Sequence, residues 1–90
     1  MKNFNWNEAK NKLLITERNI SFQDIVKAIK DGYLLDVIEH YNQDKYSQQR
    51  IFIVNIDEYA YLVPFIENNH EIFLKTIIPS RKMTKKYLRG

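Results

Sequence analysis

Six side chains in this 90-residue chain are of the types that cleave RNA without a metal: His40, Arg50, Lys75, Arg81, Lys82 and Tyr87. In that reaction the nucleophile is the substrate's own 2′-OH. The protein has only to position it, move protons and neutralise the charge that grows on the pentacoordinate phosphate. Histidine is the side chain that changes charge near neutral pH and so suits His40 to act as base or acid. The lysines and arginines supply charge, and Tyr87 carries a hydroxyl. Arg81 and Lys82 are the most pointed pair, because they fall in the first turn of an expected helix. Cations there oppose the helix dipole, a mild cost that makes sense where an anion docks against the exposed N–H groups. Each candidate also has an ordinary use: His40 as a solvated loop residue, Arg50 paired with Glu39 or Asp44, Lys75 pointing to solvent, Tyr87 packed in the core.

Other chemistries are poorly served. The chain has no Cys, which removes thiol catalysis, thiolate zinc sites and disulfides, and it has only two Gly, too few for a phosphate-cradling loop or a nucleophile elbow. Asp36, Glu39, His40 and His70 are the conceivable metal ligands, but nothing repeats a ligand spacing. No cofactor is expected.

Charge sharpens the picture. From Lys75 to Gly90 there are six basic residues and no acidic one, whereas the other 74 residues hold eight basic and eleven acidic, net −3. A local positive field on a mildly acidic body steers anions to one place, the footprint of phosphate-backbone binding. Within it Lys85, Lys86 and Arg89 join Arg81 and Lys82 as expected RNA-binding residues. Tyr33, Tyr41, Tyr46, Tyr59 and Tyr61 offer faces on which bases stack, although such rings more often pack.

These residues need a scaffold, and a chain with 44% hydrophobic residues and few Gly or Pro is composed to fold as one domain, residues 1–90. Asn7 to Arg18 reads as a first amphipathic helix capped by Asn7, with Trp6 as a core anchor. Ser21 and Asp24 make a capping box for a second, from Phe22 to about Lys30, with Ile20 and Ile25 as its staple and Gly32 just past its end. The pattern then turns extended: Tyr33–Glu39, Arg50–Ile56, Tyr59–Ile66 and Glu71–Ile78 predict a four-stranded antiparallel meander joined by short polar turns. The second strand is apolar on both faces, so both faces should be covered. Pro64 cannot donate to a ladder, which predicts a bulge or an unpaired position. Ser80 caps a last helix, Arg81–Arg89, with Met83 and Tyr87 as its inward stripe. The fold class expected is α+β, with a polar loop over Tyr41–Gln49.

At this point the order of features resembles the BrnT family of toxins: F-x-W-x-x-x-K-N at Phe4, Trp6, Lys10 and Asn11, I-S-F at Ile20–Phe22 opening a helix, Arg50 leading a strand, and I-I-x-x-R-K-x-T-x-x-Y from Ile77 to Tyr87. The resemblance spans nearly the whole chain. It implies a fold similar to the RelE and ParE toxins and a metal-independent endoribonuclease of a type II toxin–antitoxin module, silenced in a hetero-oligomeric complex by a DNA-binding antitoxin, usually of ribbon-helix-helix type. It carries an RNA-contacting or catalytic role onto Arg50, Arg81 and Lys82. Where the family commonly shows Lys-His-Gly between its helices, this chain has Glu17-Arg18-Asn19, leaving Arg18 as the cation there.

The expectation is therefore a toxin that cuts RNA, without cofactor or membrane, in the cytoplasm, since neither a signal peptide nor an apolar span is present. An acidic or amphipathic antitoxin helix is expected across the C-terminal region. The alternative, from a different class, is a non-catalytic ParE-like binding toxin or an antitoxin co-repressor.

Overall fold

Two capped helices open the domain, in a computed structural model that describes residues 2–89. Helix α1 (Glu8–Arg18) starts at Asn7, whose side chain accepts the Lys10 N–H at 3.0 Å, and ends on Asn19 in the left-handed region. Helix α2 (Phe22–Lys30) has the expected capping box: Ser21 Oγ accepts the Asp24 N–H at 3.1 Å, and Asp24 accepts the Ser21 N–H at 2.9 Å. Gly32 follows at φ 93°, a backbone geometry that glycine adopts without steric cost. Asn11 locks the two helices together. Only 3% exposed, it accepts the Phe22 N–H at 2.7 Å and donates to Gln23 Oε1 at 2.8 Å, so one orphan donor at the α2 N-terminus is satisfied from α1.

The sheet is mixed, and here the four-stranded antiparallel expectation is corrected. Strands β2 (Leu34–Glu39), β3 (Arg50–Ile56), β4 (Tyr59–Glu67) and β5 (Glu71–Leu74) do form an antiparallel meander. Ahead of α1, however, β1 (Asn3–Trp6) pairs parallel with β5, giving the order β1-β5-β4-β3-β2. The fourth expected strand is two: β5 stops at Leu74, and a short β6 (Ile78–Pro79) returns to β4. The break faces Pro64. Proline offers no N–H on that side, its carbonyl accepts the Lys75 N–H at 2.8 Å, and Ile51–Pro64 pairing on the other side continues without a bulge. The loop after β2 holds a further short helix, α3 (Gln43–Tyr46), where only a polar loop was expected.

Strand alternation assigns the two faces. Phe52, Val54, Val63, Phe65 and Leu74 point towards the helical hairpin and join Leu14, Phe22 and Ile25 in the principal core. Phe52 and Phe65, side by side across the β3–β4 ladder, stack at 3.8 Å, and Trp6 stacks on Phe22 at 5.7 Å. The opposite parity gives Ile51, Ile53 and Ala60, each fully buried, on the second face. That face is closed by helix α4 (Arg81–Leu88), which reaches Asp36, the register partner of Ile53. Both sheet faces are thus covered, as the apolar loading of β3 demanded. Among the described residues no helix is long and apolar enough to cross a membrane.

Candidate nucleic-acid interface

Helix α4 is anchored at three points. Ser80 caps it, accepting the Met83 N–H at 3.1 Å while its own N–H binds Ala60 O at 3.0 Å. Thr84, 2% exposed, accepts the Ala60 N–H at 2.8 Å and donates to Ser80 O at 2.7 Å. The Tyr87 hydroxyl donates to Asp36 Oδ2 at 2.6 Å. The expected inward stripe of Met83 and Tyr87 is therefore centred on Thr84, and the two expected residues are only half-buried beside it. Thr84 belongs to the Ile77–Tyr87 motif, but its inward role gave no sequence signal, since the Ala60 N–H it satisfies lacks a strand partner only because β6 stops at Pro79.

With Thr84 turned inward, the cations are turned out. Arg81, Lys82, Lys85, Lys86 and Arg89 are all exposed, and none makes an ion pair among the described residues. Lys86 lies over the Tyr87 ring at 5.4 Å and adds to the field on Asp36. That carboxyl is held below its ordinary value, chiefly by the Tyr87 hydroxyl, then by the Val37 N–H and Lys86. Reciprocally the Tyr87 hydroxyl is raised, first by its bond to Asp36 and then by burial and the Asp36 charge. Its proton is committed to Asp36 rather than free for transfer.

The other candidates are spread more widely than the sequence suggested. Arg50 does not join Arg81 and Lys82. Paired with Phe65 in the ladder, it lies on the helical-hairpin face, and it sits five residues, about 17 Å, along the strand from the α4 anchor at Ala60. Its partner is neither Glu39 nor Asp44: the guanidinium donates to Glu67 and rests over the Phe65 ring at 5.3 Å. Glu67 also takes Lys2 at 2.6 Å, and Lys2 first and Arg50 second hold its carboxyl below the usual range. Arg18 is likewise engaged, donating to the Ile77 carbonyl.

Lys75 is exposed, with its ammonium 5.5 Å over the Phe73 ring. His40 is not a solvated loop residue. It is 6% exposed, and its ring centroid lies 4.4 Å from those of both Tyr41 and Tyr46. Nδ1 accepts the Asn42 N–H at 3.0 Å, which places the proton of the neutral ring on Nε2. Two residues beyond Ile38, whose ladder partner is Ile51, His40 lies on the α4 face. The α4 face thus gathers His40, Tyr87 and the unpaired cations.

No family model, curated protein or solved structure matches the chain. The chemistry of the interface is therefore read from its own geometry. A cleft of about 720 Å³ opens between α2 and the β3–β4 hairpin, but Asp24, Asp31, Asp57 and Glu58 outnumber Arg18 and Lys27 along its walls. A phosphate is disfavoured there and favoured on α4. No group of three or more His, Asp or Glu side chains placed to hold a metal occurs among the described residues.

Proposed function

We propose that this protein is the toxin component of a type II toxin–antitoxin module, a metal-independent endoribonuclease of RelE/ParE-like architecture that engages RNA through the α4 face and is neutralised by a cognate DNA-binding antitoxin. One observation carries the reading: α4 and its C-cap Arg89 present five cations without an ion pair among the described residues, whereas Arg50 on the other face is paired with Glu67. Unpaired cations on a rigidly anchored helix stabilise phosphate charge at no cost of breaking internal pairs. Arg81 and Lys82 hold the phosphate in this scheme, Lys85, Lys86 and Arg89 attract the backbone, and His40 donates a hydrogen bond from Nε2. The N-terminal motif and the Arg81-Lys82 element add the sequence resemblance to BrnT toxins.

A second reading has its own observation. The Tyr87 proton is bound to Asp36 and the His40 ring is mostly enclosed, so the face binds an anion more readily than it moves protons. This favours a toxin that acts by binding its target, or an antitoxin co-repressor. Incubating the purified protein with RNA in EDTA separates the two. Cleavage leaving a 2′,3′-cyclic phosphate, lost in Arg81→Ala/Lys82→Ala, supports the endoribonuclease; intact RNA together with growth arrest on expression supports the binding toxin.

A further inference from the structure

The α3 loop holds an arrangement that the cationic helix does not explain. His40 is enclosed between two tyrosines, yet the outer one, Tyr41, is 77% exposed, the most exposed large hydrophobic side chain among the described residues. A tyrosine so exposed contributes little to the core. The ring beneath it is held rigidly all the same: His40 N–H donates to Gln49 O at 3.2 Å, Nδ1 accepts the Asn42 N–H at 3.0 Å, and the side chain of Gln43 donates to His40 O. Among the described residues His40 Nε2 has no hydrogen-bond partner, and it is not fully enclosed, since Asn55 Oδ1 is the only fully buried side-chain N or O atom left without one. Lys45 Nζ stands 5.3 Å over the Tyr46 ring, bringing a cation to the same loop.

We infer that Tyr41, backed by His40, is a stacking platform for an unpaired base of single-stranded RNA, with His40 Nε2–H donating to an oxygen of the same nucleotide. The inference rests on the proposed RNA-directed function and specifies its substrate as single-stranded. An aromatic face kept in place by its neighbours loses little freedom when a base covers it, and such stacking tolerates any base because every base has a π-face. The position suits it. His40 lies four residues along β2 from Asp36, about 13 Å, and Asp36 is where α4 touches the strand, so a strand whose phosphates follow α4 reaches Tyr41 within a few nucleotides. A duplex, whose bases are already stacked on one another, gains nothing from the platform.

The test uses fluorescence anisotropy with a labelled 12-nucleotide single-stranded RNA and with the duplex of the same sequence, on the full-length protein. Tyr41→Ala should weaken single-strand binding about 5- to 100-fold, the loss expected of one stacked base, and leave duplex binding and the salt dependence unchanged. Tyr41→Trp should restore or exceed the original affinity. Equal loss on strand and duplex, or no loss on the strand while the unmodified protein binds it, overturns the platform and leaves the RNA-directed function standing. Failure of the unmodified protein to bind either RNA overturns both. Tyr41 is exposed, so these variants keep the fold, and a circular-dichroism melt within a degree or two of the unmodified protein verifies it.

Discussion

The Tyr87 hydroxyl donates to Asp36 Oδ2 at 2.6 Å, joining the C-terminal helix to edge strand β2 across 51 residues of sequence. Asp36 is held below its ordinary pKa by this bond, so its contribution to stability is fully present above the unfolded carboxyl value and is lost as pH falls through the lowered folded one. Tyr87 is raised, and its contribution is present below the unfolded phenol value and lost as pH rises through the raised one. Tyr87→Phe should lower the melting temperature at neutral pH. The gap to the unmodified protein should narrow in acid, and calorimetric melts taken from neutral to acid pH will show whether it does.

Arg50 and the α4 cations should separate in RNA binding. Arg81→Ala/Lys82→Ala removes two unpaired cations and should reduce the slope of log affinity against log salt by about 1.4, from about 0.7 per charge on a single strand. Arg50→Ala should leave that slope unchanged and instead release one of the two cations on Glu67. A salt titration of all three proteins measures both, and a reduced slope in Arg50→Ala would move the interface to the other face.

Asn11 carries a structural load within the N-terminal motif. Its replacement by Ala strands the buried Phe22 N–H, so Asn11→Ala should cost about 1–3 kcal/mol in denaturant titrations, with no change in salt slope for RNA.

Thr84 makes a comparable prediction on the other face. Thr84→Val keeps the shape but leaves the buried Ala60 N–H without an acceptor, at a cost of about 1–3 kcal/mol; Thr84→Ser should lose less, since it keeps the oxygen. Equal losses in the two variants would show that the methyl packing dominates.

The β3–β4 turn places Asp57 and Glu58 at φ 52° and 65°, the double left-handed pattern of a type I′ hairpin, whose second position is usually Gly. Glu58→Gly should therefore stabilise the fold by up to about 1 kcal/mol, as read from the shift in urea midpoint.

Much of the scaffold was legible because it rests on local rules. Caps at Asn7, Ser21 and Ser80 need only a side-chain oxygen two or three residues from a free N–H, and the boundaries of α2 and β3 follow from those caps and from β-branched runs. β1 was missed since its Asn-Phe-Asn-Trp run is too short to outweigh the helix behind it, and its parallel partner β5 lies more than sixty residues away.

For the site, sequence alone determined that the basic residues cluster at the C-terminus and that their helix is capped, because charge counts and caps are properties of neighbours. Only the tertiary structure decided which cations are free. Pairing depends on which strands meet: the meander brings Glu67 beside Arg50 and leaves α4 with Asp36 as its acidic contact, already bound by Tyr87. The enclosure of His40 is local, made by Tyr41 and Tyr46 within six residues, but it depends on α3 turning Tyr46 back over the ring, and a four-residue helix inside a polar loop leaves no periodic signal in the sequence.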